Sequence, residues 1–111
     1  MAAVGKALSF GSQIAASATT YYTATNVAAR IDKCTVSNTG AAARTFSIYL
    51  VPSAGAAGVT NQIIVTRSIN IGETYTCPEI VGHWLNAGQF LAAIASTASE
   101  LTLRVSGIEV T

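Results

Sequence analysis

Apolar and polar positions alternate with a period close to two along most of the chain, the pattern of strands with one covered face. Phe46, Ile48 and Leu50 fall on one face. Leu101, Leu103 and Val105 do the same, with Arg104 on the opposite side. Phe90, Ala92 and Ile94 form a third such row. In the run 61–69, Ile63, Val65 and Ile69 share a face with Arg67, while Ile64 points the other way. That strand is therefore expected to be covered on both sides.

Turn chemistry separates the runs. Asn38-Thr39-Gly40, Asn70-Ile71-Gly72 and Asn86-Ala87-Gly88 each supply Asn and Gly, which tolerate positive φ. Strands are predicted over 7–10, 19–23, 28–37, 44–51, 61–69, 74–77, 89–97 and 101–110. About eight short strands with no strong helix signal give an all-β fold. The expected architecture is an antiparallel two-sheet sandwich, with a jelly roll as one arrangement the count allows. Residues 1–16 are read as an N-terminal arm, either poorly ordered or reaching a neighbouring subunit, and 17–111 as one β-sandwich domain.

Two irregularities stand out. The apolar phase of the last strand slips between Val105 and Ile108, which predicts a bulge at Ser106-Gly107. The stretch 52–60, which contains Pro52, Ala54 and Ala57, is long for a hairpin loop and carries no charge. It reads either as a flexible connector or as a loop ordered against a neighbour.

Composition supports the strand reading. Ala, Thr and Ser make up 44 of 111 residues, and β-branched and hydroxyl side chains suit a pleated surface better than a helix. Half the residues are hydrophobic and 10% are charged, against about 25% in an ordinary globular chain. That balance excludes disorder. The net charge of +1 provides no field to steer a nucleic acid or a charged membrane, so neither is expected as a partner. The first residues lack a cationic start leading into an apolar run, so cytoplasmic synthesis is expected.

Candidate chemistry is sparse. His83 is the only histidine, and Cys34 and Cys77 do not form a Cys-x-x-Cys pair, so no metal or cofactor is expected. The two cysteines read as small buried apolar residues, with a bond between facing strands left open. Glu79 and His83, four residues apart, are the one pair suited to acid–base work. Their segment reads more simply as a connector whose Ile80, Val81, Trp84 and Leu85 cap the core. Arg30, Asp32, Lys33 and Arg44 read as solvated strand-face charge with local ion pairing. Tyr21 and Tyr22 are expected on opposite faces of a strand, one packed inside and one exposed for contact.

The segment 30–39, Arg-Ile-Asp-Lys-Cys-Thr-Val-Ser-Asn-Thr, resembles a strand and turn of small virion structural proteins of tailed bacteriophages. The segment 49–55, Tyr-Leu-Val-Pro-Ser-Ala-Gly, is similar to a strand end in the same proteins. Segments 71–75, 85–88 and 106–110 also fit, so the resemblance spans most of the chain from about residue 17. It implies a non-enzymatic particle component located in the virion. Head decoration (cement) on the major capsid protein is the first expectation, as a homo-oligomer with a trimer favoured. A tail, neck or spike component with a recognition role, such as carbohydrate binding, is the alternative. Partner contact is expected at Phe10, Tyr21, Tyr22, Pro52, Ala54, Ala57 and Trp84.

Overall fold

The computed structural model describes residues 2–111. Among these residues there is no helix. They form nine strands: β1 (Ala3–Gln13), β2 (Thr19–Thr23), β3 (Ala28–Asn38), β4 (Arg44–Val51), β5 (Gln62–Ile69), β6 (Thr74–Tyr75), β7 (Trp84–Leu85), β8 (Phe90–Ala95) and β9 (Leu101–Val110). Two antiparallel sheets result. One has the order β1-β9-β3-β6, with β7 also pairing β3, and the other has the order β2-β8-β4-β5. β6 and β7 are two halves of one strand position, each pairing a different stretch of β3. Counted that way, the partners nest: β1 with β9, β2 with β8, β3 with β6 and β7, β4 with β5. This is one long antiparallel ribbon rolled on itself, the jelly-roll arrangement. The roll adds the β9–β3 and β8–β4 pairings.

The inward rows of both sheets make the core. Ile31, Cys34, Val36, Leu101, Leu103 and Val105 of one sheet meet Phe46, Ile48, Ile64, Ile69, Leu91 and Ala93 of the other. All are nearly or fully buried. Each large aliphatic contributes about 1.5–3 kcal/mol by leaving water. Asn38 closes one end of this layer. It is buried, and its side-chain amide donates to the carbonyls of Ala42 (2.8 Å) and Ile69 (3.0 Å). Its Oδ1 accepts from Gly40 N–H at 2.9 Å. The Asn-Thr-Gly signal thus marks both a turn and a polar tie between the sheets.

Several expectations are corrected. The first strand runs over Ala3–Gln13, so the stretch read as an arm pairs with β9 along nearly its whole length. The connector before Trp84 ends in a strand, β7. Ile80 and Leu85 cap the core as expected, but Val81 and Trp84 are exposed. β5 is covered on one side only, with Val65 exposed, because Thr66 takes φ 44° and shifts the register between Phe46 and Ile48.

The bulge predicted at Ser106-Gly107 lies on the partner strand. β9 keeps its alternation through a buried Gly107, and the extra residue is Asp32 of β3, between the Ile31↔Gly107 and Lys33↔Ser106 pairs. Gly107 is where the bulged backbone presses in: a Cβ there would lie 1.9 Å from the Arg30 carbonyl oxygen. Backbone cannot yield as a side-chain tip can. Gly107→Ala is therefore expected to destabilise the fold by about 3 kcal/mol or more, read as a lower denaturation midpoint in urea.

Candidate functional site

Few side chains in this molecule are both large and exposed, and the structure gathers two of them on the outer face of the five-stranded sheet. Outward positions of β9 are Thr102, Arg104, Ser106 and Ile108, alternating with the buried row. Phe10 of β1 lies opposite Arg104, and the Arg104 guanidinium stacks 4.3 Å from the Phe10 ring centre. Two bulges in β1, at Leu8 and Gly11, set Phe10 outward while Ser9 turns in. On the other flank, Arg30 pairs with both Ile108 and Trp84, and its guanidinium lies 5.7 Å from the Trp84 ring. Phe10 is 73% exposed and Trp84 47%.

Between these aromatics lies a square of four side chains on two neighbouring strands: Lys33 opposite Ser106, and Thr35 opposite Arg104. They line a cavity of about 310 Å³. Three ion pairs occur among the described residues: Lys6–Glu109 at 3.1 Å, Arg30–Asp32 at 2.7 Å and Arg44–Glu100 at 2.9 Å. Neither Lys33 nor Arg104 takes part in one. The face therefore offers two cations, two hydroxyls and two flanking rings to an incoming surface. Cation–aromatic stacking holds Arg104 extended and limits the entropy lost on contact.

The other sequence-predicted contact residues lie elsewhere. Pro52, Ala54 and Ala57 sit in the loop between β4 and β5 of the four-stranded sheet. That loop is tied by Asn61, whose Oδ1 accepts from Gly58 N–H (3.0 Å) and whose Nδ2 donates to Ala56 O (3.0 Å). Tyr21 and Tyr22 do not take opposite faces. The register shift between Thr20 and Tyr22 brings both rings against the core. Tyr21 OH accepts from Ala15 N–H (2.8 Å), and Tyr22 OH donates to Glu109. The Arg30, Lys33 and Arg44 cluster divides: Arg30 pairs with Asp32 beside it, whereas Arg44 makes a two-pronged contact with Glu100. Glu79 accepts from Tyr75 OH at 2.7 Å, and His83 contributes backbone hydrogen bonds to Ile80 and Ile31.

Sequence reasoning missed Lys33 and Arg104 as members of one site. The signal was the broken inward phase of β3, in which Ile31 is followed by Cys34 rather than by position 33. That break turns Lys33 outward beside Ser106.

One charge cluster sits at the rim of this sheet. Glu109 accepts from Tyr22 OH and pairs with Lys6. The Tyr22 hydrogen bond, with Lys6 beside it, holds the Glu109 carboxyl below the usual carboxylate range despite partial burial. Burial and the bond to Glu109 push the Tyr22 phenol up. A carboxyl with a lowered folded pKa stabilises the fold fully above its unfolded value, about 4.3 for Glu. That contribution disappears as the pH falls through the folded value. Stability is therefore expected to fall below about pH 4. Glu109→Gln is expected to be less stable at pH 7 and to lose less between pH 5 and pH 2, as followed by urea unfolding at each pH.

No family model matches the chain, and neither the curated proteins nor the solved structures contain a match.

Proposed function

We propose that this protein is a structural component of a tailed-phage virion, acting as a head decoration (cement) protein on the major capsid protein. It works without catalysis and without a cofactor. The observation that carries this reading is the outer face of the five-stranded sheet, where exposed Phe10 and Trp84 flank the unpaired cations Lys33 and Arg104. Aromatic and Arg side chains are the groups that anchor protein interfaces. The resemblance of segments 30–39 and 49–55 to small virion proteins supplies the biological setting. The low charge of the chain keeps the desolvation cost of packing many copies small. Jelly rolls serve in viral coats and in lectins alike, so the fold agrees with this reading without selecting it.

In the decoration reading the face seats on the capsid lattice, and copies associate around a closed axis, with a trimer fitting local three-fold positions. A glycan-binding component of a tail or spike is the second reading, favoured by the exposed Trp84 ring, since aromatic faces stack on sugars.

Quantitative mass spectrometry of purified virions is expected to give hundreds of copies per particle. Phe10→Ala with Trp84→Ala is expected to weaken binding to stripped heads by about tenfold or more. Stability should change by less than about 0.5 kcal/mol per site, because both side chains are at the surface. A monomer that ignores heads and binds a defined glycan would replace the first reading with the second.

A further inference from the structure

The two cysteines occupy one rung of the rolled ribbon. β6 pairs with β3 at Ser37↔Thr74 and Val36↔Tyr75. The same register carried two residues further sets Cys77 across from Cys34. Val36, Cys34 and Cys77 are all completely buried on the core side. Facing positions of an antiparallel pair lie about 4.5–5.5 Å apart at Cα. That lies within the roughly 4.4–6.8 Å that a disulfide spans. Cys77 is the group neighbouring the Cys34 thiol, and Cys77 Sγ donates to Tyr75 O at 3.7 Å.

At Cys77 the chain leaves the sheet with φ 47° and forms a strap over 76–83. Within the strap Ile80 N–H donates to Cys77 O (3.2 Å) and His83 N–H to Ile80 O (3.2 Å). Gly82 N–H donates to Ile31 O (2.7 Å), Ile31 N–H to His83 O (3.0 Å) and Tyr75 OH to the Glu79 carboxylate (2.7 Å). The strap has one large side chain, Ile80, fully buried in the core. It is flanked by strands of only two residues, and its far end carries Trp84 onto the outer face. Opening the strap releases these bonds and the Ile80 side chain, while the long strands of the roll stay paired.

We propose that Cys34 and Cys77 form a redox clasp, closed by a low-molecular-weight disulfide, which staples the 76–83 strap to β3. Opening of the strap exposes Cys77. Its thiolate, having lost a proton to water, attacks one sulfur of the small disulfide. The small S–S bond breaks, and one small thiolate leaves and takes up a proton. The Cys34 thiolate, formed in the same way, then attacks the Cys77 sulfur of the mixed disulfide and releases the second small thiol. The protein thiols are oxidised by two electrons, and the small disulfide is reduced to two thiols. The neighbouring Cys77 and burial push the Cys34 thiol up, so exchange is slow while the strap is closed. The clasp is independent of the particle reading: it concerns this chain's own strap and needs no capsid.

The test uses the full chain, purified reduced and equilibrated in glutathione buffers of increasing oxidised fraction. Intact mass is expected to fall by about 2 Da, with both thiols lost to alkylation together and no added glutathione. The midpoint of thermal unfolding is expected to rise by about 5 °C or more, because the bond closes a loop of roughly 40 residues. Amide exchange over 78–83 should slow, and emission from Trp84, the only tryptophan, should report a more fixed environment. Cys34→Ser and Cys77→Ser should each abolish the 2 Da loss. Stable mixed disulfides, a covalent dimer, a lower unfolding midpoint or thiols that react only after global unfolding would each overturn the clasp. These readouts on the unaltered chain decide the matter even where a serine variant fails to fold.

Discussion

One apolar layer, shared between two sheets, is the constraint to which everything else in this molecule answers. Each sheet contributes a single row of inward side chains, and neither row is covered without the other. β9 and β8 are each gripped on both edges, β9 by β1 and β3, β8 by β2 and β4. The nested ribbon makes most of its pairings between residues distant in sequence, from Ala3 with Val110 inward to Tyr49 with Gln62. Such a fold forms late and all together, because loop closure precedes the contacts that compensate for it.

Charge is scarce, and most of it ties elements together at the edges of that layer. Arg44 of β4 reaches Glu100 in the turn before β9. Glu109 of one sheet takes the phenol of Tyr22 from the other. Arg67 of β5 lies over the ring of Tyr75 of β6, 4.3 Å from its centre, across the opposite side of the sandwich. Each tie sits where the two sheets end and water begins, so each is a partly exposed pair of modest strength. Lys33 and Arg104 stand apart from this scheme. They lie in the middle of an outer sheet face and take part in no ion pair among the described residues, Arg104 stacking on Phe10 of the neighbouring strand.

The bulges decide what that surface contains. Asp32, Leu8, Gly11, Tyr21 and Thr66 are extra or displaced residues in otherwise regular ladders. Each one rotates the side chains beyond it. Asp32 sends Lys33 outward, and the two bulges of β1 do the same for Phe10. The β1 bulges also distort the outer edge of that strand, which makes it a poorer template for adding a further strand. The same device that protects the edge thus builds the candidate face.

Alternation along the chain was enough to establish the all-β class, the two-sheet layering and most strands to within a residue or two. The inward rows of β4 and β9 follow from period two, because a strand with one covered face must alternate. In β8 the period holds but the phase is the reverse of the expected one, with Leu91, Ala93 and Ala95 in the core rather than Phe90, Ala92 and Ile94, since apolar residues occupy both faces there. Local sequence did not locate the bulges, since an extra residue on β3 and one on β9 produce the same change of phase between neighbours. Only the pairing shows that Gly107 stays in register and Asp32 does not. Likewise, Phe10 and Trp84 are solitary aromatics 74 positions apart in the chain. Their place on a single face, with Lys33 and Arg104 between them, comes from rolling the ribbon, which sets β1, β9, β3 and β7 side by side. Periodicity is a property of each strand by itself, whereas a shared face is a property of strand order, and strand order exists only once the chain has folded.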